Sequence, residues 1–144
     1  RMTKIFINGK NEFYDDYAHH PTEIFSVLQS VKNVSKDRKI ISVFQPHRYS
    51  RIKSLKKNFS KSFYNSDIVL LCPVYSAGEK INKKFDIKKF GKLISKESKT
   101  QVIMIKSQHE LNKYFQKNLI NDEIIIGMGA GSISKWMREL KRYL

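Results

Sequence analysis

Two short segments concentrate the residues of this 144-residue chain that could bind charged ligands. Residues 15–20 read DDYAHH and residues 45–51 read QPHRYSR, so three of the four histidines lie in them. An aspartate can accept hydrogen bonds from both hydroxyls of a ribose, and an imidazole can stack on a purine or contact a phosphate. Arginine is scarce beside lysine here, yet Arg48 and Arg51 lie close together. A guanidinium holds a carboxylate or phosphate through two parallel hydrogen bonds, so these segments indicate nucleotide and anion binding.

Plainer explanations exist for each segment. Asp15 or Asp16 would serve as an ordinary helix cap, and QPHRYSR would be a basic loop in a basic protein. A cap does not account for Tyr17, His19 and His20 together, which favours the binding site. Adjacent histidines are poorly spaced to ligate one metal ion, so no metal site is predicted.

A third and a fourth polar segment follow later in the chain. PVYSAGE, residues 73–79, contains Tyr75, Ala77 and Glu79, and GMGAGS spans residues 127–132. The second departs from the dinucleotide pattern G-x-G-x-x-G because Ser132 replaces the third glycine. Its glycines, which include Gly129 and Gly131, are interpreted as allowing a tight turn and close backbone approach. No P-loop pattern occurs, so ATP phosphates are not expected to bind this chain in that manner.

Hydrophobic periodicity predicts the elements that hold these segments. Asn8-Gly9 indicates a hairpin turn between two short strands, and Pro21 suits the first position of a helix. Apolar runs predict strands at residues 39–44, 67–72, 101–106 and 123–127. Helices are predicted from apolar positions at helical spacing: Ile24, Val27, Leu28, Val31 and Val34; Ile52, Leu55, Phe59 and Phe63; residues 86–95; residues 109–119; and Ile133, Trp136, Met137 and Leu140.

Four buried strands that alternate with helices predict an α/β fold, a doubly wound, mostly parallel Rossmann-like sheet with an N-terminal β-hairpin. A length of 144 residues fits a single domain, residues 1–144. Each polar segment lies between the end of a strand and the start of a helix. Open α/β sheets bind ligands at that edge, so the four segments are expected to converge there.

The net charge of +15 allows nucleic acid, an acidic surface or a phosphorylated ligand as partners. The lysines are spread along the whole chain, which favours a uniformly solvated surface over a dedicated nucleic-acid surface. No apolar run reaches the roughly 20 residues of a membrane helix, and no secretory signal is recognisable. The lone Cys72 is expected in a buried strand, and a reducing, cytoplasmic setting is expected.

The segments DDYAHHPTEI, FQPHRYSR, VYSAGE and GAGSI, in this order and at these intervals, resemble the C-terminal domain of the Mur ligases. Within that family the resemblance is to the branch that joins L-alanine to UDP-N-acetylmuramate at the start of the peptidoglycan peptide. The related ligase that recycles murein tripeptide shares DDYAHHPT but usually lacks the Gln-Pro-His-Arg run. The resemblance covers essentially the whole of this chain, but the family's N-terminal UDP-binding and central ATPase domains have no counterpart in it. Those two domains are expected outside this sequence, and the chain is expected to be an excised domain.

The resemblance implies an amide-forming ligase that uses ATP and Mg²⁺ and passes through an acyl phosphate. This domain would act as a lid that delivers the amino acid, would bind neither cofactor tightly alone, and would be inactive in isolation. It implies no certain catalytic residue. By motif, the L-alanine and phosphate site would comprise Tyr17, His19, His47, Arg48 and Arg51. The nucleotide site would comprise Asp16 and His20, and the supporting pocket would comprise Tyr75, Ala77, Glu79, Gly129 and Gly131.

Two other classes of function remain open from the sequence. One is a non-catalytic module that binds a nucleotide or anion at the same edge. The other is a basic nucleic-acid-binding module, which predicts lysines on one surface and salt-sensitive binding to DNA.

Overall fold

Strands and helices alternate along the chain in the computed structural model, which describes residues 1–144. The strands are β1 (Thr3–Asn8), β2 (Asn11–Asp16), β3 (Ile40–Phe44), β4 (Ile68–Leu71), β5 (Gln101–Met104) and β6 (Ile124–Met128). The helices are α1 (Pro21–Ser35), α2 (Tyr49–Lys61), α3 (Ile87–Ser98), α4 (Gln108–Asn118) and α5 (Ile133–Glu139), with a short 3-10 helix at Leu140–Arg142. None of the helices has both the length and the apolar content to cross a membrane.

The six strands form one sheet in the order β1-β2-β6-β3-β4-β5. β1 and β2 are antiparallel, whereas every other neighbouring pair is parallel. Helices α1, α2 and α3 bury their apolar residues in one cluster, and α4 and α5 bury theirs in a second cluster. The two clusters include alternate residues of the same strands, so they lie on opposite faces of the sheet. The predicted doubly wound α/β fold with an N-terminal hairpin is therefore confirmed.

The centre of the sheet is β6 and β3, in which every residue is buried. Their continuous apolar runs are what a parallel strand covered on both faces requires. Phe44 of β3 packs against Phe59 and Phe63, with ring centroids 5.8 and 5.0 Å apart. Each buried side chain of this size contributes about 1.5–3 kcal/mol through removal of apolar surface from water, so this cluster anchors α2 to the sheet.

Several local predictions are wrong in detail. Val34 was expected on the buried side of α1, but it is 84% exposed because it lies at the last turn of the helix beyond the sheet. Phe63 is fully buried, yet it follows the end of α2. β5 is not fully covered, because it is the last strand of the sheet and Gln101 is exposed.

The hairpin turn also differs by one residue from the prediction. Asn8 pairs with Asn11, so the two-residue loop is Gly9-Lys10 rather than Asn8-Gly9. Gly9 has φ of 61°, and Lys10 is not among the residues with positive φ. A positive φ at the first central residue alone is the type II′ pattern, which matches the twist of the flanking strands.

The strand order brings the carboxyl ends of β2, β6, β3 and β4 side by side. Helices α1 and α2 leave this edge on one face of the sheet, whereas α5 leaves it on the other. Loops that diverge to opposite faces open a crevice between neighbouring strands, and this is where α/β sheets bind ligands.

Candidate ligand-binding site

Backbone hydrogen bonds continue past the strand ends and align the first three loops. The amide of Gln45 donates to the carbonyl of Met128 at 3.1 Å, and the amide of Gly129 donates to the carbonyl of Asp16 at 3.3 Å. The loops that follow β3, β6 and β2 therefore begin in register with one another. Their side chains are presented from a fixed backbone.

The loop after β4 is attached in the same way. The amide of Tyr75 donates to the carbonyl of Pro46 at 2.9 Å, and His47 and Tyr75 form an isolated parallel bridge. Their rings stack, with centroids 5.4 Å apart and an angle of 17° between the planes. A Cβ on Gly131 would lie 2.4 Å from the Tyr75 ring, so only glycine leaves room for this tyrosine. Gly131 and Tyr75 thus support the His47 ring from one side.

A third contact ties the β3 loop to the start of α5. The side chain of Gln45 is 3% exposed; its Nε2 donates to Ser132 Oγ at 2.9 Å and its Oε1 accepts from the Ile133 amide at 3.1 Å. Gly129 lies between these elements at φ of 154°, and a Cβ there would be 3.0 Å from the Gln45 carbonyl oxygen. Sequence reasoning assigned no role to Gln45. A polar side chain directly after a buried strand was the available signal.

Three histidine rings meet at the mouth of the crevice. The His19 centroid lies 4.9 Å from that of His20, 5.6 Å from that of His47 and 5.0 Å from that of Tyr17. His19 Nδ1 is 2.9 Å from the Tyr17 carbonyl oxygen. His19 faces the neighbouring loop, whereas His20 is exposed at the N-cap of α1. Of the adjacent pair, His19 is the one whose ring contacts His47.

Glu23 fixes the start of α1. Its Oε1 accepts from the backbone amides of His19 and His20, each at 3.1 Å, and lies 3.7 Å from His19 Nδ1. A carboxylate in the first turn satisfies free helix amides and lies favourably in the helix dipole. Glu23 was not singled out from the sequence, although a glutamate three residues after the cap is the usual signal.

The two arginines of the β3 loop have different partners. Arg51 Nη1 donates to His47 Nδ1 at 3.0 Å and to the His47 carbonyl oxygen at 2.7 Å. Arg48 Nη1 lies 3.6 Å from Glu79 Oε2. Both guanidinium groups therefore stand beside the histidine cluster with donors remaining, since each has five N–H groups.

Glu79 also caps α2. Its Oε1 accepts from the Ser50 amide at 3.2 Å, and its Oε2 accepts from the Ser50 hydroxyl. These bonds, together with Arg48, lower the pKa of Glu79 below its ordinary value. Ala77 lies in the exposed turn that leads to Glu79, at φ of 52°, and makes no contact with the histidine cluster that the structure records.

The two aspartates of the first segment point to different partners. Asp16 is 5% exposed, and its Oδ1 accepts from the Ala18 amide at 2.7 Å, so it shapes the loop rather than capping α1. Asp15 Oδ2 accepts from Ser134 at 2.6 Å and lies 3.2 Å from Arg138 Nη2. Asp15 therefore fixes α5 to the sheet, whereas Asp16 faces the cavities beside α1.

Two cavities flank Asp16. One of about 390 Å³ is lined by Asp16, Tyr17 and the first turns of α1. A larger one of about 680 Å³ lies between the hairpin and α1, behind Asp16. Neither is lined by Arg48 or Arg51, so the two arginines lie outside both cavities.

The electrostatics of the cluster favour an anion. Burial lowers the pKa of His47 below its ordinary value, and Arg51, His19 and Arg48 lower it further by repulsion. The positive charge of the cluster therefore comes from the two arginines. Cys72 lies at the base of the edge, fully buried, and burial raises the pKa of its thiol, so it packs as predicted.

No group of three or more histidine, cysteine, aspartate or glutamate side chains is arranged to hold a metal ion. Glu23 and Glu79, the carboxylates beside the cluster, already accept hydrogen bonds from the backbone amides of His19 and Ser50. The arrangement suits recognition of a carboxylate or phosphate rather than cation binding.

The chain is similar to known proteins along nearly its whole length. Residues 1–131 match the family model described as Mur ligase, glutamate ligase domain. The UDP-N-acetylmuramate–L-alanine ligase of Pelagibacter ubique is 50% identical over 140 residues, which are 97% of this chain and 30% of that protein.

Two solved structures extend the comparison. UDP-N-acetylmuramate–alanine ligase from Thermotoga maritima superposes with a TM-score of 0.75 at 28% identity, over 98% of this chain and 29% of that one. A murein peptide ligase from Psychrobacter arcticus has a TM-score of 0.78 at 18% identity, over 99% and 29%, which shows the fold alone. The chain spans about 30% of the length of the relatives it matches.

Proposed function

This chain belongs to the Mur ligase, glutamate ligase domain family, and on that basis we propose that it is the C-terminal domain of an ATP-dependent ligase that joins L-alanine to UDP-N-acetylmuramate in peptidoglycan synthesis. The Pelagibacter and Thermotoga relatives carry this activity in their names. Because the chain spans less than a third of their length, we propose that UDP-binding and ATPase domains precede it in the complete protein.

The observation that carries the proposal is the joint presence of Arg48, Arg51 and His47 beside His19 at the carboxyl edge of the sheet. The two guanidinium groups bind the carboxylate of L-alanine and the phosphate charge that develops when the acyl phosphate reacts. Tyr17, 62% exposed, and His19 line the junction with the nucleotide. A charge-assisted fork would orient the amino acid, and closure of the domain against the rest of the ligase would exclude water and strengthen its stabilisation of negative charge.

Asp16 and His20 are proposed to contact the nucleotide. Asp16 Oδ1 accepts from the Ala18 amide, and Oδ2, which lies 3.9 Å from the N-terminal ammonium of Arg1, is the oxygen proposed to accept from ribose hydroxyls. The carboxylate lines both neighbouring cavities. His20 is exposed at the start of α1, where a ring can stack on a base. Tyr75, Glu79, Gly129 and Gly131 support the pocket by the contacts described above, and Ala77 is proposed to do so only through the turn before Glu79.

The Mg²⁺ that the family implies does not fit this chain, which offers no suitable ligand cluster. Phosphorylation of the lactyl carboxylate is therefore assigned to other domains. The part of this chain is to bring L-alanine to the acyl phosphate when the domain closes as a lid. In isolation it is expected to be inactive.

The test is a ligase assay of the complete protein that carries this chain, with UDP-N-acetylmuramate, ATP, Mg²⁺ and either L-alanine or murein tripeptide. Amide product with L-alanine, and none from the 144-residue chain alone, is expected. Preference for the tripeptide would assign the chain to a recycling ligase instead. Absence of product with either would favour a non-catalytic anion-binding module.

A further inference from the structure

The two central imidazoles of the cluster carry their protons on different ring nitrogens. His19 Nδ1 lies 2.9 Å from the Tyr17 carbonyl oxygen, and a carbonyl can only accept a hydrogen bond. Nδ1 of His19 must therefore carry the hydrogen. In the neutral ring this leaves Nε2 with a free lone pair, so His19 is a proton acceptor.

His47 is held in the opposite tautomer. Arg51 Nη1 lies 3.0 Å from His47 Nδ1, and a guanidinium can only donate. Nδ1 of His47 must therefore carry the lone pair, which places the hydrogen on Nε2. The second hydrogen bond of Arg51 Nη1, to the His47 carbonyl oxygen, prevents the ring and the guanidinium from separating.

The surroundings maintain this division. Arg51 and Arg48 face His47 from α2 and its preceding loop, His19 faces it from the β2–α1 loop, and Tyr75 stacks on it from the β4–α3 loop. All the charged groups among them oppose protonation of His47. His19 instead has Glu23 Oε1 3.7 Å from its Nδ1, so a carboxylate faces the nitrogen that carries the hydrogen.

We propose that His19 is the base that removes a proton from the ammonium group of L-alanine, and that His47 is a neutral donor to the anionic oxygens of the same complex. The proposal rests on the proposed ligase function and adds a separate role for each ring: His19 accepts a proton and His47 donates a hydrogen bond. The side chain of His19 is 16% exposed, so the ring is partly shielded yet still accessible from outside.

The ammonium gives one proton to His19 Nε2, and the freed nitrogen lone pair attacks the carbonyl carbon of the acyl phosphate. The C–N bond forms, the C–O bond to phosphate breaks, and phosphate leaves with that electron pair. The second nitrogen proton passes to the departing phosphate, and His19 returns its proton to water. Arg48 and Arg51 assist, because neighbouring positive charges lower the pKa of an ammonium.

The tautomers can be measured without any catalysis. Nitrogen-15 NMR of the histidine rings in the 144-residue chain should show His19 protonated on Nδ1 and His47 on Nε2 at neutral pH. Exposed His109, on α4, is the internal reference. The same tautomer at both positions would overturn the proposal while leaving the ligase function untouched.

The base is tested in the complete protein by the pair His19→Gln and His109→Gln. With L-alanine at neutral pH, His19→Gln should lower kcat by about 100-fold, and the deficit should shrink as pH rises and the amine loses its proton unaided. Hydroxylamine, which is unprotonated at neutral pH, should trap the acyl phosphate almost as fast as in the unchanged protein. His109→Gln should match the unchanged protein with both nucleophiles.

Equal losses with L-alanine and hydroxylamine would overturn the proposal, since His19 would then serve binding or lid closure rather than proton removal. Failure of the proposed function is a separate result, because it would appear as absence of amide product from the unchanged protein.

Discussion

At the scale of single residues, Arg48 combines an unfavourable backbone with a useful position. Its φ of 136° lies in a region that favours glycine, and it immediately precedes α2 beside the histidine cluster. Glu79 faces the Arg48 guanidinium and accepts from the Ser50 amide, so the same carboxylate holds both the strained residue and the helix start. Such strain is found where the position of a side chain matters more than stability.

Arg48→Gly should therefore stabilise the fold relative to Arg48→Ala while both weaken substrate binding. Glycine relieves the backbone strain, so the free energy of unfolding from thermal melts should be about 1–2 kcal/mol higher for Arg48→Gly than for Arg48→Ala. Equal melting temperatures for the two variants would show that the backbone at this position is not strained in solution.

Arg51→Ala should act mainly on the use of L-alanine by the complete ligase. Loss of a charge-assisted hydrogen bond of about 1.5–3 kcal/mol should raise the KM for L-alanine by roughly 10- to 100-fold. Lys53→Ala removes an exposed cation from the same helix and should leave that KM unchanged. If both variants behave alike in steady-state kinetics, Arg51 belongs to the general surface charge.

At the scale of elements, the joint between β6 and α5 depends on Gly129. Gly129 has φ of 154°. A Cβ at this position would lie 3.0 Å from the Gln45 carbonyl oxygen and 2.8 Å from the Ile133 side chain, so the loop can pass this close only without a side chain. The joint thereby keeps α5 close to the β3 loop.

Gly129→Ala should lower the free energy of unfolding by about 1–3 kcal/mol more than Gly9→Ala does. Both glycines have positive φ, but a Cβ at Gly9 meets nothing within 4 Å, so that variant isolates the backbone term from the steric one. Denaturant unfolding of the two variants makes the comparison. Equal losses would mean that the β6–α5 loop moves aside at no cost.

Much of the element pattern could be predicted because strand and helix periods are local properties of the sequence. Pro21 begins α1 as predicted, and Asp86 proves to be the N-cap of α3 rather than its first residue. The edge position of β5 could not be predicted, because sheet order depends on pairing between distant segments. Phe63 was placed on a helix because a buried residue at helical spacing gives the same signal just after the helix ends.

The sequence predicted which segments meet at the candidate site, but not the contacts between their side chains. Strand-to-helix loops converge in any parallel sheet, so DDYAHH and QPHRYSR were expected together. The bond from Arg51 to His47 and the cap formed by Glu23 were not predicted, since spacing does not give the direction of a side chain. The convergence of residues is confirmed; their roles remain proposals.

At the scale of the whole molecule, Arg38 joins three distant segments at the edge of the sheet opposite the site. It lies 2.7 Å from Glu12 of β2, donates to the Lys10 carbonyl oxygen at 3.0 Å, and lies 2.9 Å from Asp122 before β6. Hydrogen bonds from Tyr14 and Arg38 lower the pKa of Glu12 from 4.5 to about 2. The hairpin is thus attached to the sheet by charge as well as by strand pairing.

Glu12→Gln should lower stability only at pH values where the native carboxylate is ionised. Because the folded pKa is below the unfolded one, the contribution of Glu12 is complete above pH 4.5 and is lost as pH falls towards about 2. Allowing for partial exposure to solvent, the loss at neutral pH should be about 1 kcal/mol. Melting curves of the two proteins should converge towards pH 2; a constant difference across the range would refute the ionic contribution.

The position of β6 between β2 and β3 has a consequence for the order of events during synthesis. β6 is the last strand to leave the ribosome, yet it lies in the middle of the sheet. Until residues 124–128 have emerged, β2 is paired with β1 only, and its other edge has no neighbouring strand. Pairing across such sequence separations is slow, and unpaired strand edges are prone to aggregate. The nascent chain therefore depends on this late insertion, and the edge that carries the histidine and arginine cluster forms only after β6 has joined the hairpin to β3, β4 and β5.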